Sequence, residues 1–172
     1  MRLIDSLSKK ELNELVGKCW ITHDGMWFYQ CLKEFGIEKT NKLNLEAIRG
    51  MVPFELQRFK AAMGIEKQHM ESFEELIHFF SNAIELLIPD FMNVTWSFSE
   101  ENIIRWSFND KKCFAYKGIN RLGVLDKYEC GPMTRVRCWL EHLGVEYTVK
   151  PDITLCVMNE QDNCSGEFHL SF

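Results

Sequence analysis

Met92-Asn93-Val94-Thr95-Trp96-Ser97-Phe98, followed after a polar interval around Glu100-Glu101-Asn102 by Ile104-Arg105-Trp106-Ser107-Phe108, decides the fold. In both runs apolar and polar residues alternate one for one, the period of a strand with one buried face. The short polar interval predicts a hairpin. Both apolar sets share a face only if Phe98 lies opposite Ile104, because a slip of one residue inverts every side chain. That register sets Trp96 opposite Trp106, a strongly stabilising cross-strand pair.

Upstream of Pro89-Asp90 the period is helical. Ser8 with Glu11 forms a capping-box signature and starts a helix carrying Leu12, Leu15, Val16 and Cys19. Thr22 or Asp24 is expected to cap a second helix through Trp27, Phe28, Cys31, Leu32 and Phe35, ended by Gly36. A third stretch runs from about 41 to 63 and ends at Gly64, and Pro53 should kink or divide it. Ser72 is expected to cap a fourth helix, which Pro89 stops. Downstream of the hairpin, a short helix is predicted between Lys112 and Leu122 and another from Pro132, suited to a first helical position, to Gly144. Strands are predicted at Val145 to Val149, Ile153 to Met158 and Glu167 to Phe172. The order of helices, hairpin, helices and strands predicts an α+β domain, with N-terminal helices packed on a twisted antiparallel sheet.

Composition supports one domain. The 172 residues are 46% hydrophobic and 13% aromatic, with 13 Phe and 5 Trp, and a chain of this size buries roughly 70% of its unfolded surface. A net charge of −5, with no basic run longer than Lys111-Lys112, which reads as a turn, excludes an electrostatic footprint for nucleic acid. No apolar stretch reaches the length of a membrane span. The N-terminus meets charge at once and lacks a signal-peptide core, so a cytoplasmic protein is expected. No phosphate-cradling glycine loop, dinucleotide fingerprint, nucleophile elbow or zinc-protease motif is present.

The 7 cysteines then need an explanation suited to a reducing compartment. Their odd number and wide spacing argue against a disulfide framework. Cys19, Cys31 and Cys138 sit on amphipathic stretches and read as core. Cys113, Cys130, Cys156 and Cys164 come from separate segments of the C-terminal half, and four thiolates can hold zinc tetrahedrally or an iron–sulfur cluster. Cys130, at a predicted helix N-terminus, is expected to have a lowered pKa. Simple burial explains the same four residues, and the chain lacks the C-x-x-C of zinc ribbons. His23, Asp24 and Trp27 form a second candidate set, a ligand patch at a pocket mouth, against which Asp24 reads as a cap and Trp27 as core. Arg135 could hold an anionic ligand, while Glu55 and Arg58 are expected to form a solvated pair.

The segments His23-Asp24-Gly25-Met26-Trp27-Phe28, Phe35-Gly36-Ile37-Glu38, Glu55 to Arg58 and Gly64 resemble the N-terminal half of an uncharacterised prokaryotic family. That family often closes with Cys, an aromatic, Glu and Phe, and Cys164-Ser165-Gly166-Glu167-Phe168 is similar. The family in turn resembles L-2-amino-thiazoline-4-carboxylic acid hydrolase-like proteins and the 4-vinyl reductase domain, a small-molecule-binding module related in fold to transport-particle subunits. The resemblance implies a ligand- or metal-binding α+β domain with Cys113, Cys130, Cys156 and Cys164 as the matching cysteines. The family's closely spaced cysteine pair with following prolines is represented here only by Cys156 and the run to Asn163.

Two functions follow as expectations. One is a metal-binding (zinc or iron) or small-molecule-binding domain, a sensor or small hydrolase, with its site at the C-terminal cysteines. The other is a protein-interaction module, a homodimer through its N-terminal helices, with every cysteine buried and reduced.

Overall fold

In the computed structural model, which describes residues 2–99, 102–108 and 112–172, the long N-terminal helix begins where the capping box predicts. The Ser8 hydroxyl accepts from the Glu11 N–H at 3.2 Å, and the Glu11 carboxylate accepts from the Ser8 N–H at 2.8 Å. A single turn, α1 (Leu3–Ser6), precedes it. α2 then spans Lys9–Met63, and its backbone leaves helical angles only at Gly36, at φ 74° and ψ 172°. That conformation is open to glycine and costly for any residue with a Cβ, so Gly36 divides α2 into two arms.

No second helix starts at Thr22 or Asp24. The helix runs through both, and the Thr22 hydroxyl donates back to the Lys18 carbonyl at 2.7 Å, which satisfies it without opening a turn. Pro53 also stays inside the second arm without dividing it. Gly64, at φ 69°, ends α2, and Ser72 caps α3 (Phe73–Leu87) by accepting from the Glu75 N–H.

The hairpin has the predicted register. β1 (Val94–Ser99) pairs antiparallel with β2 (Ile103–Phe108), with Phe98 opposite Ile104 and Trp96 opposite Trp106. Glu100 and Glu101 of its loop, and Lys111 of the expected basic turn, lie outside the described residues. α4 (Phe114–Leu122), α5 (Gly131–His142), β3 (Glu146–Lys150), α6 (Val157–Gln161) and β4 (Ser165–Ser171) follow. The four strands are ordered β1-β2-β4-β3, all antiparallel.

One expected strand is absent. Between Ile153 and Met158 only Leu155 makes an isolated bridge, to Glu129, and the chain enters α6 at Val157. Asp152 accepts from both the N–H and the hydroxyl of Thr154, at 2.8 and 2.7 Å, an Asx turn that takes the chain out of the sheet. β4 meanwhile occupies the position beside β3. Ile153, Cys156, Val157 and Met158 are buried, with Leu155 half-buried and Thr154 exposed, and so short an apolar run carries no period that separates strand from helix.

Registry sets Trp96, Phe98, Ile104, Trp106, Phe168, Val149 and Tyr147 on one face of the sheet. Phe80 of α3 meets the rings of Trp96 and Phe98, and Trp139 of α5 meets Phe59, Phe79 and Phe80, all edge-on. The other face is polar, with Thr95, Ser97, Arg105, Ser107, Glu167 and Lys150. This is the α+β arrangement: helices cover one side of an antiparallel sheet. Among the described residues, no helix is long and apolar enough to cross a membrane.

Candidate metal centre

Four cysteines from four segments lie in or beside the core, within electrostatic range of one another. Cys113 and Cys130 are the N-cap residues of α4 and α5, Cys156 stands immediately before α6, and Cys164 immediately before β4. Backbone hydrogen bonds tie these segments in pairs. The Cys130 N–H donates to the Thr154 carbonyl at 3.0 Å, and the Phe108 N–H at the end of β2 donates to the Cys164 carbonyl at 2.9 Å. Every pair within the set is close enough to interact electrostatically: Cys130 with the other three, Cys164 with Cys113 and Cys156, and Cys113 with Cys156.

The surroundings are more polar than a packing cluster requires. The Tyr128 hydroxyl accepts from the Gly131 N–H at 3.2 Å and lies within electrostatic reach of Cys130, Cys113 and Cys156. Its ring is held edge-on by Phe28, at 5.8 Å between centroids. The buried Asn41 fixes the approach to Cys130: its amide donates to the Lys127 carbonyl at 2.7 Å and accepts from the Glu129 N–H at 3.4 Å. The Trp106 indole is 1% exposed, and its Nε1 finds no hydrogen-bond partner among the described residues. It faces the Cys164 sulfur and favours its thiolate without closing a bond. Gly166, opposite Trp106 in the ladder, makes room for that ring, since a Cβ there would come within 2.4 Å of both the indole and the Lys150 carbonyl.

Burial dominates the titration of all four thiols. It pushes Cys164 up to about 12 and raises Cys113, Cys130 and Cys156 as well. The expectation of a lowered pKa at Cys130 is therefore corrected. None of Cys113, Cys130 and Cys156 closes a side-chain capping hydrogen bond. The N–H dipoles of Ala115 and Tyr116 at Cys113, and of Met133 at Cys130, pull towards the thiolate, but desolvation outweighs them. These are neutral, weakly nucleophilic thiols. A cation reverses that balance, because a coordinating thiol loses its proton outright. No three His, Cys, Asp or Glu side chains among the described residues are disposed to hold a metal ion.

The remaining candidates are dispersed. Arg135 makes a two-pronged pair with the buried Glu55, Nε to Oε2 at 2.9 Å and Nη2 to Oε1, and the Trp139 indole donates to the same carboxylate at 2.7 Å. Glu55 thus pairs with Arg135 rather than with Arg58 as expected. His23 and Trp27 lie on the solvent face of the first arm of α2. Asp24, exposed in area, is crowded enough for desolvation to raise its pKa against the opposing pull of Arg135 and His23. Of the cysteines expected in the core, Cys138 is buried, Cys31 is half-buried and Cys19 is exposed. Sequence reasoning missed Tyr128 and Trp106. Tyr128 is signalled only by standing two residues before Cys130, and Trp106 reads simply as a core strand residue. On the polar sheet face an open groove of about 540 Å³ is lined by Arg105, Lys150 and Glu167 among others.

Residues 5–170 match a family of unknown function (DUF6125). The chain belongs to that family. No curated protein and no solved structure matches it. The match spans the N-terminal arm, the sheet and all four clustered cysteines, so the family unit is the whole fold rather than one of its halves.

Proposed function

We propose that this domain binds one metal ion, zinc in the first instance, through the thiolates of Cys113, Cys130, Cys156 and Cys164. The observation that carries the reading is that four thiols from four segments lie within electrostatic range of one another, with Cys164 beside the Trp106 N–H, which closes no other hydrogen bond among the described residues. Simple packing gives no reason for that donor to face a sulfur. A zinc with four thiolates carries excess negative charge. The N-termini of α4 and α5, the Trp106 N–H and the Tyr128 hydroxyl are the groups on hand to offset it.

Four sulfur ligands leave no open coordination position, which suits a structural or sensing role rather than hydrolysis. The raised thiols likewise argue against a free cysteine nucleophile. A small-molecule site at His23, Asp24, Trp27 and Arg135, and a hydrolase activity, have less support because Arg135 is already held by Glu55.

The test is elemental analysis of untagged protein purified under reducing, anaerobic conditions, together with cobalt titration of the metal-free form. About one zinc per chain, tetrahedral thiolate–cobalt absorption, and loss of both in Cys130→Ser/Cys164→Ser are expected. Iron in place of zinc would keep the site and change its chemistry to redox sensing. A folded wild-type protein that takes up neither zinc nor cobalt overturns the reading.

A further inference from the structure

The first arm of α2 is apolar on the side that faces away from the protein. Its inner side is already used: Gly17 lies against Pro89 and Phe91, and Phe28 against Tyr128. The outer side carries Val16, Trp20, His23 and Trp27, flanked by Leu15 and Met26. Trp20 and Trp27 are 64% and 67% exposed, and Val16, Met26 and Leu15 are 57%, 51% and 47% exposed. At two-thirds exposure the two indoles alone leave on the order of 300 Å² uncovered. The whole stripe approaches the roughly 800 Å² per partner of a specific interface.

Spacing identifies what covers it. Lys9, Asn13, Val16, Trp20, His23, Trp27, Gln30 and Glu34 follow one another at alternating intervals of four and three, the seam of a helix that pairs with another helix. Turned end for end, the series fits itself. An antiparallel copy sets Trp20 against His23, Val16 against Trp27, Asn13 against Gln30 and Lys9 against Glu34. Aromatic meets aromatic, apolar meets apolar, amide meets amide and cation meets anion. A parallel copy would set Lys9 against Lys9 and Glu34 against Glu34. The arm is helical without a break from Lys9 to Gly36, about 40 Å, long enough for all eight positions to engage. A closed two-fold pairing of this kind is self-complementary by construction.

We propose that the outer face of this arm, Lys9 to Glu34, pairs antiparallel with the same face of a second copy of the chain. The proposal is independent of the thiol site. Its test is light scattering across a concentration series, on the full chain with and without zinc. The expected mass is twice 20.3 kDa. Trp20→Glu with Trp27→Glu should give a monomer with unchanged helical circular dichroism. Lys9→Glu and Glu34→Lys should each weaken association at least several-fold, and the two together should restore it, because only the antiparallel register brings these positions together. A wild-type monomer at every concentration overturns the proposal, including one whose arm instead binds anionic vesicles. A dimer indifferent to the tryptophan substitutions, or single charge reversals that the double reversal does not rescue, overturns it equally.

Discussion

Two polar clusters lie along the same helix, and they differ in one respect. Near the middle of α5, Arg135 Nε and Nη2 and the Trp139 N–H all donate to the Glu55 carboxylate. Before its first turn, Cys130 lies within electrostatic range of three other thiols, one of them beside an indole N–H that closes no hydrogen bond among the described residues. The first cluster is closed: its charges neutralise each other and its hydrogen bonds are used. The second is open, with raised thiols and helix N-termini beside it, and the positive charge of Lys117 reaching Cys113 does not offset their burial. Closed clusters hold a fold together, whereas an open one surrounded by matched groups is arranged for something the chain itself does not supply.

The largest expected effect tests the closed cluster. Glu55→Ala strands the Arg135 guanidinium and the Trp139 N–H, and removing one member of a largely buried pair costs about 3 kcal/mol or more. Urea unfolding should show this loss, with Glu55→Gln recovering part of it through the indole bond. A cost near zero would mean that solvent satisfies both donors and that the cluster is not closed.

The open cluster predicts the next effect and the opposite behaviour. In metal-free protein, Cys156→Ala should be nearly neutral, as for any small buried side chain. Zinc at a hundred times its dissociation constant should add about 2.7 kcal/mol of stability to the wild type and far less to the variant. Equal stabilisation of both would place any bound zinc elsewhere.

Much of this architecture is legible in the sequence, and the exceptions share a cause. The hairpin register follows from alternation at Trp96, Phe98, Ile104 and Trp106, because only one pairing puts all four on one face. The Ser8 box, Gly36, Gly64 and Pro132 mark their helix ends through backbone chemistry that needs no distant partner. Where a run is short or its burial is inverted, pattern fails. Ile153 to Met158 is mostly buried, is too short to show a period and reads as strand, while Cys19 lies on an apolar stripe and reads as core although that stripe faces solvent. The thiol site is half legible: the four cysteines can be named, but their approach to one another depends on bonds such as Cys130 to Thr154 and Phe108 to Cys164, between residues tens of positions apart. The direction of the Trp106 N–H depends further on the missing side chain of Gly166.

Trp106 belongs to both the core and the open cluster, and its ring and its N–H can be tested apart. Trp106→Phe removes the N–H and keeps most of the packed ring. If the donor serves a metal thiolate, zinc affinity should fall about tenfold, the usual cost of losing a group that supports a ligand, as read by competition with a chromophoric chelator. Metal-free stability should fall by roughly 1–3 kcal/mol, the cavity cost of a smaller ring at a fully buried position, since the N–H lost closes no hydrogen bond among the described residues. A loss of stability with unchanged affinity would make the indole a packing residue and remove the main reason for calling the cluster open.

The smallest effect belongs to a third cluster that is closed but wet. On the polar sheet face the Glu167 carboxylate meets His169 at 2.6 Å and Arg105 at 3.2 Å, and the hydrogen bond to His169, followed by the two nearby positive charges, lowers its pKa. A depressed carboxylate contributes stability at pH values above its unfolded pKa and loses that contribution as pH falls through its folded value. The effect should therefore appear in acid, below about pH 4.3, and shrink in salt, which screens exposed charges. Carbon-detected NMR of the Glu167 carboxyl should show a midpoint below that of an ordinary glutamate, moving back towards it in His169→Ala and in 1 M salt. An ordinary midpoint in the wild type would show that closure by hydrogen bonding has little energetic content at the surface. The contrast between the two clusters of α5 would then rest on their burial alone.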